Sequence, residues 1–387
     1  MKSKGMLLTA LGCLGAMTIF GQAPAPQQGP GVQAPQDSRY AEFRASKCTP
    51  PPAAAGGGAR GPAAPGAAGA GARGPAAPAG PPAHREYTVT EIPGVIAAGQ
   101  RWKSIWTGTG NNADGPIATA DGGLLVAQNT NSTVMKIDKD NKVSIAYRDT
   151  NTGGALAQSK SGALFMVSRG FPTSVIQLEP TRRTLTDMYN GQPLDCIGGV
   201  INDLTADSKG GVYFTMGGVY YANPKGVVTK YGTLTGVNGI ILSPDEKTLY
   251  VTGRIPAPAA PPAAGAAGAA PAGGRGGGGG GGGLVAFDVQ ADGSLTNERQ
   301  FAQVGGDGTT VDSQGRIYTT TGGQAGDIQV ISPDGKVLGS IPLPMNFITV
   351  AFSGPDKKTL YGIFNNREYD EIFTIQMIAQ GYKDRAK

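Results

Sequence analysis

The chain has a single histidine, His84, and it lies in a stretch of Pro, Ala and Gly rather than among apolar runs. Ser-His-Asp catalysis, Cys-His catalysis and His-ligated zinc are therefore unavailable to the part that follows it. No Cys-x-x-Cys-His occurs among the three cysteines, which excludes covalently attached haem. The glycines at 276–283 are not followed by Gly-Lys-Ser/Thr, so they form no phosphate loop. Helical apolar periodicity is almost absent after Glu86. Basic charge is scarce where it would matter. Of the net +5, Lys2 and Lys4 carry +2 and residues 24–85 carry +4, leaving −1 for the remainder. Without a basic stripe studded with aromatics, no nucleic-acid partner is expected.

What is present divides the chain into three parts. Lys2 and Lys4, the apolar run from Met6 to Phe20 and the small residues Gly21 and Ala23 read as a secretory signal peptide over 1–23. The run is short for a membrane span, so export to the periplasm or beyond is expected. Ala10-Leu11-Gly12-Cys13 loosely fits a lipoprotein box, but too few apolar residues precede the Cys for that to be preferred. Residues 24–85 read as a disordered Pro/Ala/Gly tether, with Gly-Ala-Arg-Gly-Pro-Ala-Ala-Pro at 58–65 and again at 71–78. Such a tether could associate with an anionic envelope surface. Cys48 and Cys196 either bridge the tether to the folded part or stand as unrelated thiols, the simpler reading. Residues 86–387 form the folded domain.

Within that domain Val237–Thr252 is the ruler. An apolar run opens at Asn238-Gly239, turn residues follow at Ser243-Pro244-Asp245-Glu246-Lys247, and a second run closes with Leu249-Tyr250-Val251. Five relatives of that second run are present. Taking Leu125, Phe165, Tyr213, Tyr250, Tyr318 and Tyr361 as markers, the spacings are 40, 48, 37, 68 and 43. The long spacing contains an Ala/Pro/Gly insertion at 256–283, and its removal restores 40. Six units near 40 residues, each with room for four strands, predict an all-β, six-bladed β-propeller.

In each unit the innermost strand begins 11 or 12 residues before the marker. Its first residue faces the channel mouth, and reading around the ring gives Asp114, Gly154, Asn202, Asn238, Asp307 and Thr349. Asp-Gly and Asn-Gly are ordinary turn pairs at any single position. At one register in four units, however, Asp114, Asn202, Asn238 and Asp307 also make an oxygen-rich set suited to a hard divalent cation. Two facing carboxylates without a cation would repel and raise one pKa.

Asp114-Gly115-Pro116, Asn202-Asp203, Asn238-Gly239 with Ser243-Pro244-Asp245, Asp307-Gly308 with Val311-Asp312, and Phe352-Ser353-Gly354-Pro355 together resemble the senescence marker protein, gluconolactonase and luciferin-regenerating enzyme family. The resemblance covers most of residues 100–375. It implies a six-bladed propeller with one divalent cation in the channel, Ca²⁺ foremost and Mg²⁺, Mn²⁺ or Zn²⁺ as alternatives. It further implies that Asp114, Asn238 and Asp307 hold the metal, that Asn202 meets substrate or a metal-bound water, and that Asp307 is the catalytic base. Three positions depart from the family pattern. Asp114 replaces a Glu, Ala118 replaces a Trp, and Val200 replaces an Arg that would pair with a polyhydroxylated acid. An exported, metal-dependent hydrolase of small-molecule lactones or related esters is the leading expectation. The alternative is a non-catalytic propeller displayed at the envelope to bind a ligand or protein.

Overall fold

The computed structural model describes residues 38–49, 82–257, 282–322, 326–366, 368–385 and 387. The expected signal peptide at 1–23, most of the expected tether and nearly all of the 256–283 insertion lie outside the described residues. Six four-stranded antiparallel sheets form the blades, and the marker residues fall in the second strand of each. The ruler is the clearest case. Ile240–Leu242 is the inner strand of blade 4, and it pairs with Thr248–Gly253 so that Ile241 faces Tyr250. Ser243 and Asp245 make the intervening turn, because the Ser243 hydroxyl donates to Asp245 at 2.6 Å and accepts from the Thr248 amide.

The strands alternate between two interfaces, and that alternation builds the core. Tyr213, Val219 and Tyr221 of blade 3 pack with Ile240, Leu242, Leu249, Val251 and Phe287 of blade 4. All six markers are buried. A single twisted sheet cannot cover both its faces, so each blade depends on its neighbours.

The ring is closed by residues that precede the first repeat. Thr349–Ser353, Thr359–Asn365 and Tyr369–Gln376 are three strands of blade 6, and its outermost strand is Lys103–Thr109. Asp370 reinforces this junction: its Oδ2 accepts the backbone N–H of Asn111 at 2.8 Å and of Ala113 at 3.3 Å. Burial pushes its carboxyl up to about 6, and its Oδ1 has no partner among the described residues.

Two expectations for residues 24–85 are corrected. Ser38–Lys47 forms a helix, α1, because this stretch lacks the Pro and Gly that flank it. Phe43 of α1 packs edge-on against Phe171 at 4.8 Å, and Cys48 is bridged to Cys196, so the two cysteines are a pair and not unrelated thiols. His84, part of the same expected tether, sits on the propeller. Its Nε2 is 3.0 Å from Glu371 and its ring meets Phe373 edge-on.

Linkage gives Asp370 a signed pH dependence. The folded pKa near 6 lies above the usual carboxylate value of 3.8, so the folded state takes up a proton first. The stabilisation is fully present below the unfolded value and is lost as pH rises through the folded one. Wild type should therefore gain stability relative to Asp370→Asn as pH falls from about 6 to about 4. Paired thermal melts across that range check it.

Candidate active site

The ring positions read from the sequence are structurally equivalent. Asn202, Asn238 and Asp307 each precede the inner strand of their blade, and their backbone N–H groups donate to Thr215, Thr252 and Thr320 at 2.9, 3.0 and 3.0 Å. Asp114 lies in the corresponding strand of blade 1, Ala113–Ala118. Small residues bring these strands together. A Cβ on Gly115 would stand 2.3 Å from the Ala155 Cα, and one on Gly239 would stand 2.3 Å from the Asp307 carbonyl.

A cation does sit among these oxygens, and it belongs to the chain. Arg169 follows the second strand of blade 2, Leu164–Ser168, and extends inward to the ring. One guanidinium nitrogen, Nη2, donates to Asp114 Oδ2 at 2.9 Å and to both the side-chain and backbone oxygens of Asn202 at 2.8 Å. Nη1 donates to Asn129 at 3.0 Å and Nε to the Ile201 carbonyl at 3.2 Å. Only 11% of the Arg169 side chain is exposed. Room for it comes from Gly154, whose ring position has no side chain. A Cβ there would lie 2.5 Å from the Arg169 Cζ.

From the guanidinium a relay of amides leads to Asp307. Asn202 Oδ1 accepts from Arg169, Asn202 Nδ2 donates to Asn238 Oδ1 at 2.7 Å, and the Asn238 side chain favours the ionised form of Asp307. Both amides are thereby oriented. Burial pushes the Asp307 carboxyl up to about 7, helped by the nearby charges of Asp114 and Asp203 and opposed by Arg169 and the bond from Asn238. The repulsion expected between facing carboxylates is thus present.

One layer further along the channel, Asp203 occupies a position that is small in most units. Its oxygens accept from Leu204 N at 2.9 Å and Ile240 N at 3.0 Å, and it forms an ion pair with Lys387, whose ammonium also meets the Ile240 carbonyl. Burial raises the Asp203 carboxyl and lowers the Lys387 amine, each partner opposing the shift of the other.

Asp114, Asn238 and Asp307 were expected to ligate a divalent cation. The donor set as arranged does not fit one. Asp114 is taken by Arg169 and by the Gly115 amide at 2.7 Å, and the Asn238 oxygen is taken by Asn202. A divalent ion about 4 Å from the guanidinium would meet roughly 8 kcal/mol of repulsion at an effective dielectric constant near 20. Among the described residues, no group of three or more His, Cys, Asp and Glu side chains is placed to hold a metal. The structure therefore brings together all four ring residues, and it adds Arg169, Asn129, Asp203 and Lys387. The one signal for Arg169 in the sequence is the blank that Gly154 leaves in an otherwise oxygen-bearing ring.

Lys387→Met should cost about 3–5 kcal/mol by leaving a buried carboxylate unpaired. Adding Asp203→Asn should restore most of that loss. Chemical denaturation of the two single variants and the double variant checks both.

Residues 281–362 match the family model described as the SMP-30/Gluconolactonase/LRE-like region. The lactonase drp35 of Staphylococcus haemolyticus is 31% identical over 162 residues, which is 37% of this chain and 48% of that protein. The chain spans about half the length, or less, of the curated relatives it matches. Among solved structures, a gluconolactonase from Xanthomonas campestris is similar with a TM-score of 0.59 at 21% identity, covering 78% of this chain and 99% of its own. A calcium-binding regucalcin from Agrobacterium tumefaciens is similar at 0.52 and 16% identity, covering 73% and 98%. These two share the fold.

Proposed function

We propose, for a six-bladed propeller that carries an SMP-30/gluconolactonase/LRE-like region, that the channel mouth hydrolyses lactones or related esters. The observation that carries this reading is Asp307, a half-buried carboxylate with its pKa near 7, set at the same ring register as two amides that Arg169 and one another orient. A base with that affinity for protons is matched to neutral pH.

The chemistry follows from the placement. Asp307 in its ionised form takes a proton from a water that attacks the ester carbonyl carbon. Negative charge then develops on the carbonyl oxygen, and the positive field of Arg169 opposes it. Collapse of the tetrahedral species breaks the bond to the ring oxygen. That oxygen takes the proton back from Asp307, and the product is a hydroxy acid. The positive charge in this reaction comes from Arg169, which holds the Asp114 carboxylate that a divalent cation would need. Val200, 36% exposed where the family pattern has an Arg, supports a less polar substrate than a sugar acid lactone.

Export belongs to the same reading. The Cys48–Cys196 bridge supports folding in an oxidising compartment, as the apolar run after Lys4 leads one to expect. Cell fractionation with an antibody to the propeller tests this point.

The purified chain should hydrolyse members of a panel of alkyl-substituted lactones and aryl esters. Its kcat/KM should rise through about pH 7, since the active form of Asp307 is the deprotonated one. Asp307→Asn should lower kcat by about 10²- to 10⁴-fold with an unchanged circular dichroism spectrum. A chain inactive on the whole panel would leave a ligand-binding propeller in place of an enzyme, and an Asn variant with full turnover would remove Asp307 from the role of base.

A further inference from the structure

We propose that the Arg169 guanidinium is the resident cation of the channel mouth, standing where the oxygen ring would otherwise take up a divalent metal ion. Three observations carry it. The guanidinium is surrounded by five oxygens, from Asp114, Asn129, Ile201 and both oxygens of Asn202, at 2.8–3.2 Å. It is nearly buried, and every one of its nitrogens donates to at least one of these oxygens. Its place in the ring is made by Gly154, at the one position of the six where a Cβ would collide with it.

The chemistry of the two kinds of cation differs in ways that matter here. A guanidinium is planar, permanently charged and lost neither to dilution nor to chelators. It hydrogen-bonds to oxygens but offers no open coordination position to activate a water. In this site it therefore fixes the ring and supplies charge, and proton transfer is left to Asp307. A divalent ion needs free lone pairs on several oxygens at once, and those of Asp114 and Asn202 are freed only if the guanidinium leaves.

The source of the positive charge is the same whichever substrate is hydrolysed, so metal binding rather than turnover is the quantity measured. The full chain, Arg169→Met and Gly154→Ala are compared by metal analysis and by calorimetric titration with Ca²⁺, Mg²⁺ and Mn²⁺. Thermal melts are run with and without each ion. Gly154 has an ordinary φ, so alanine is tolerated by the backbone there and displaces the guanidinium without deleting its charge. Wild type should hold no stoichiometric metal and show no shift in Tm with any of the three ions. At least one folded variant should bind one of them at least about tenfold more tightly than wild type, and its Tm should rise on binding. If Arg169→Met fails to fold, Gly154→Ala decides. Stoichiometric metal in wild type that a chelator removes with a fall in Tm overturns the proposal. So do folded variants that gain affinity for none of the three ions.

Discussion

Closure of the ring is the constraint on which every other feature rests. Each blade covers a face of the next, and blade 6 is complete only when Lys103–Thr109 pairs with Tyr369–Gln376. Asp370 ties the same junction to the start of blade 1 through the amides of Asn111 and Ala113. Because Ala113 adjoins Asp114, the pairing that shuts the ring also sets the height of the first acidic residue at the channel mouth. The position of the site follows from the position of the seam.

Electrostatics explains why the mouth takes the form it does. Asp114, Asp203 and Asp307 would repel one another in a space walled by protein, and two of them have chain cations as partners. Among the described residues Asp307 has no ion-pair partner, and burial, with the charges of Asp114 and Asp203, raises its affinity for protons. The unequal distribution of counter-charges thus separates one carboxylate from the other two. Fixed carboxylates hold the architecture, while the unpaired one is free to exchange a proton.

Much of this was legible in the sequence because propellers repeat locally. Tyr213, Tyr250 and Tyr318 recur at matched places since each second strand meets the same kind of neighbour, and subtracting the insertion at 256–283 restored the period. The register of Asp114, Asn202, Asn238 and Asp307 followed from the same ruler. What escaped it were contacts between units. Arg169 lies in blade 2 but serves residues of blades 1 and 3, and no spacing within one repeat encodes that reach. Cys48 and Cys196 are 148 positions apart, and composition alone favoured a loose segment around the first of them. His84 was grouped with its Pro and Ala neighbours, although its ring has Phe373 and Glu371 to rest on.

The pair of Asp203 with Lys387 has a meaning for the order of assembly. The two are 184 positions apart, and blades 3 to 5 with three strands of blade 6 lie between them. While the chain is being made, Asp203 exists long before its partner, and a partly built ring would have to keep that carboxylate wet or protonated. Burial of that carboxylate is thereby coupled to a stretch of chain far along the sequence. The ion pair makes a dry Asp203 conditional on the docking of Lys387 against the Ile240 carbonyl, so one distant contact governs whether the channel wall can shed its water.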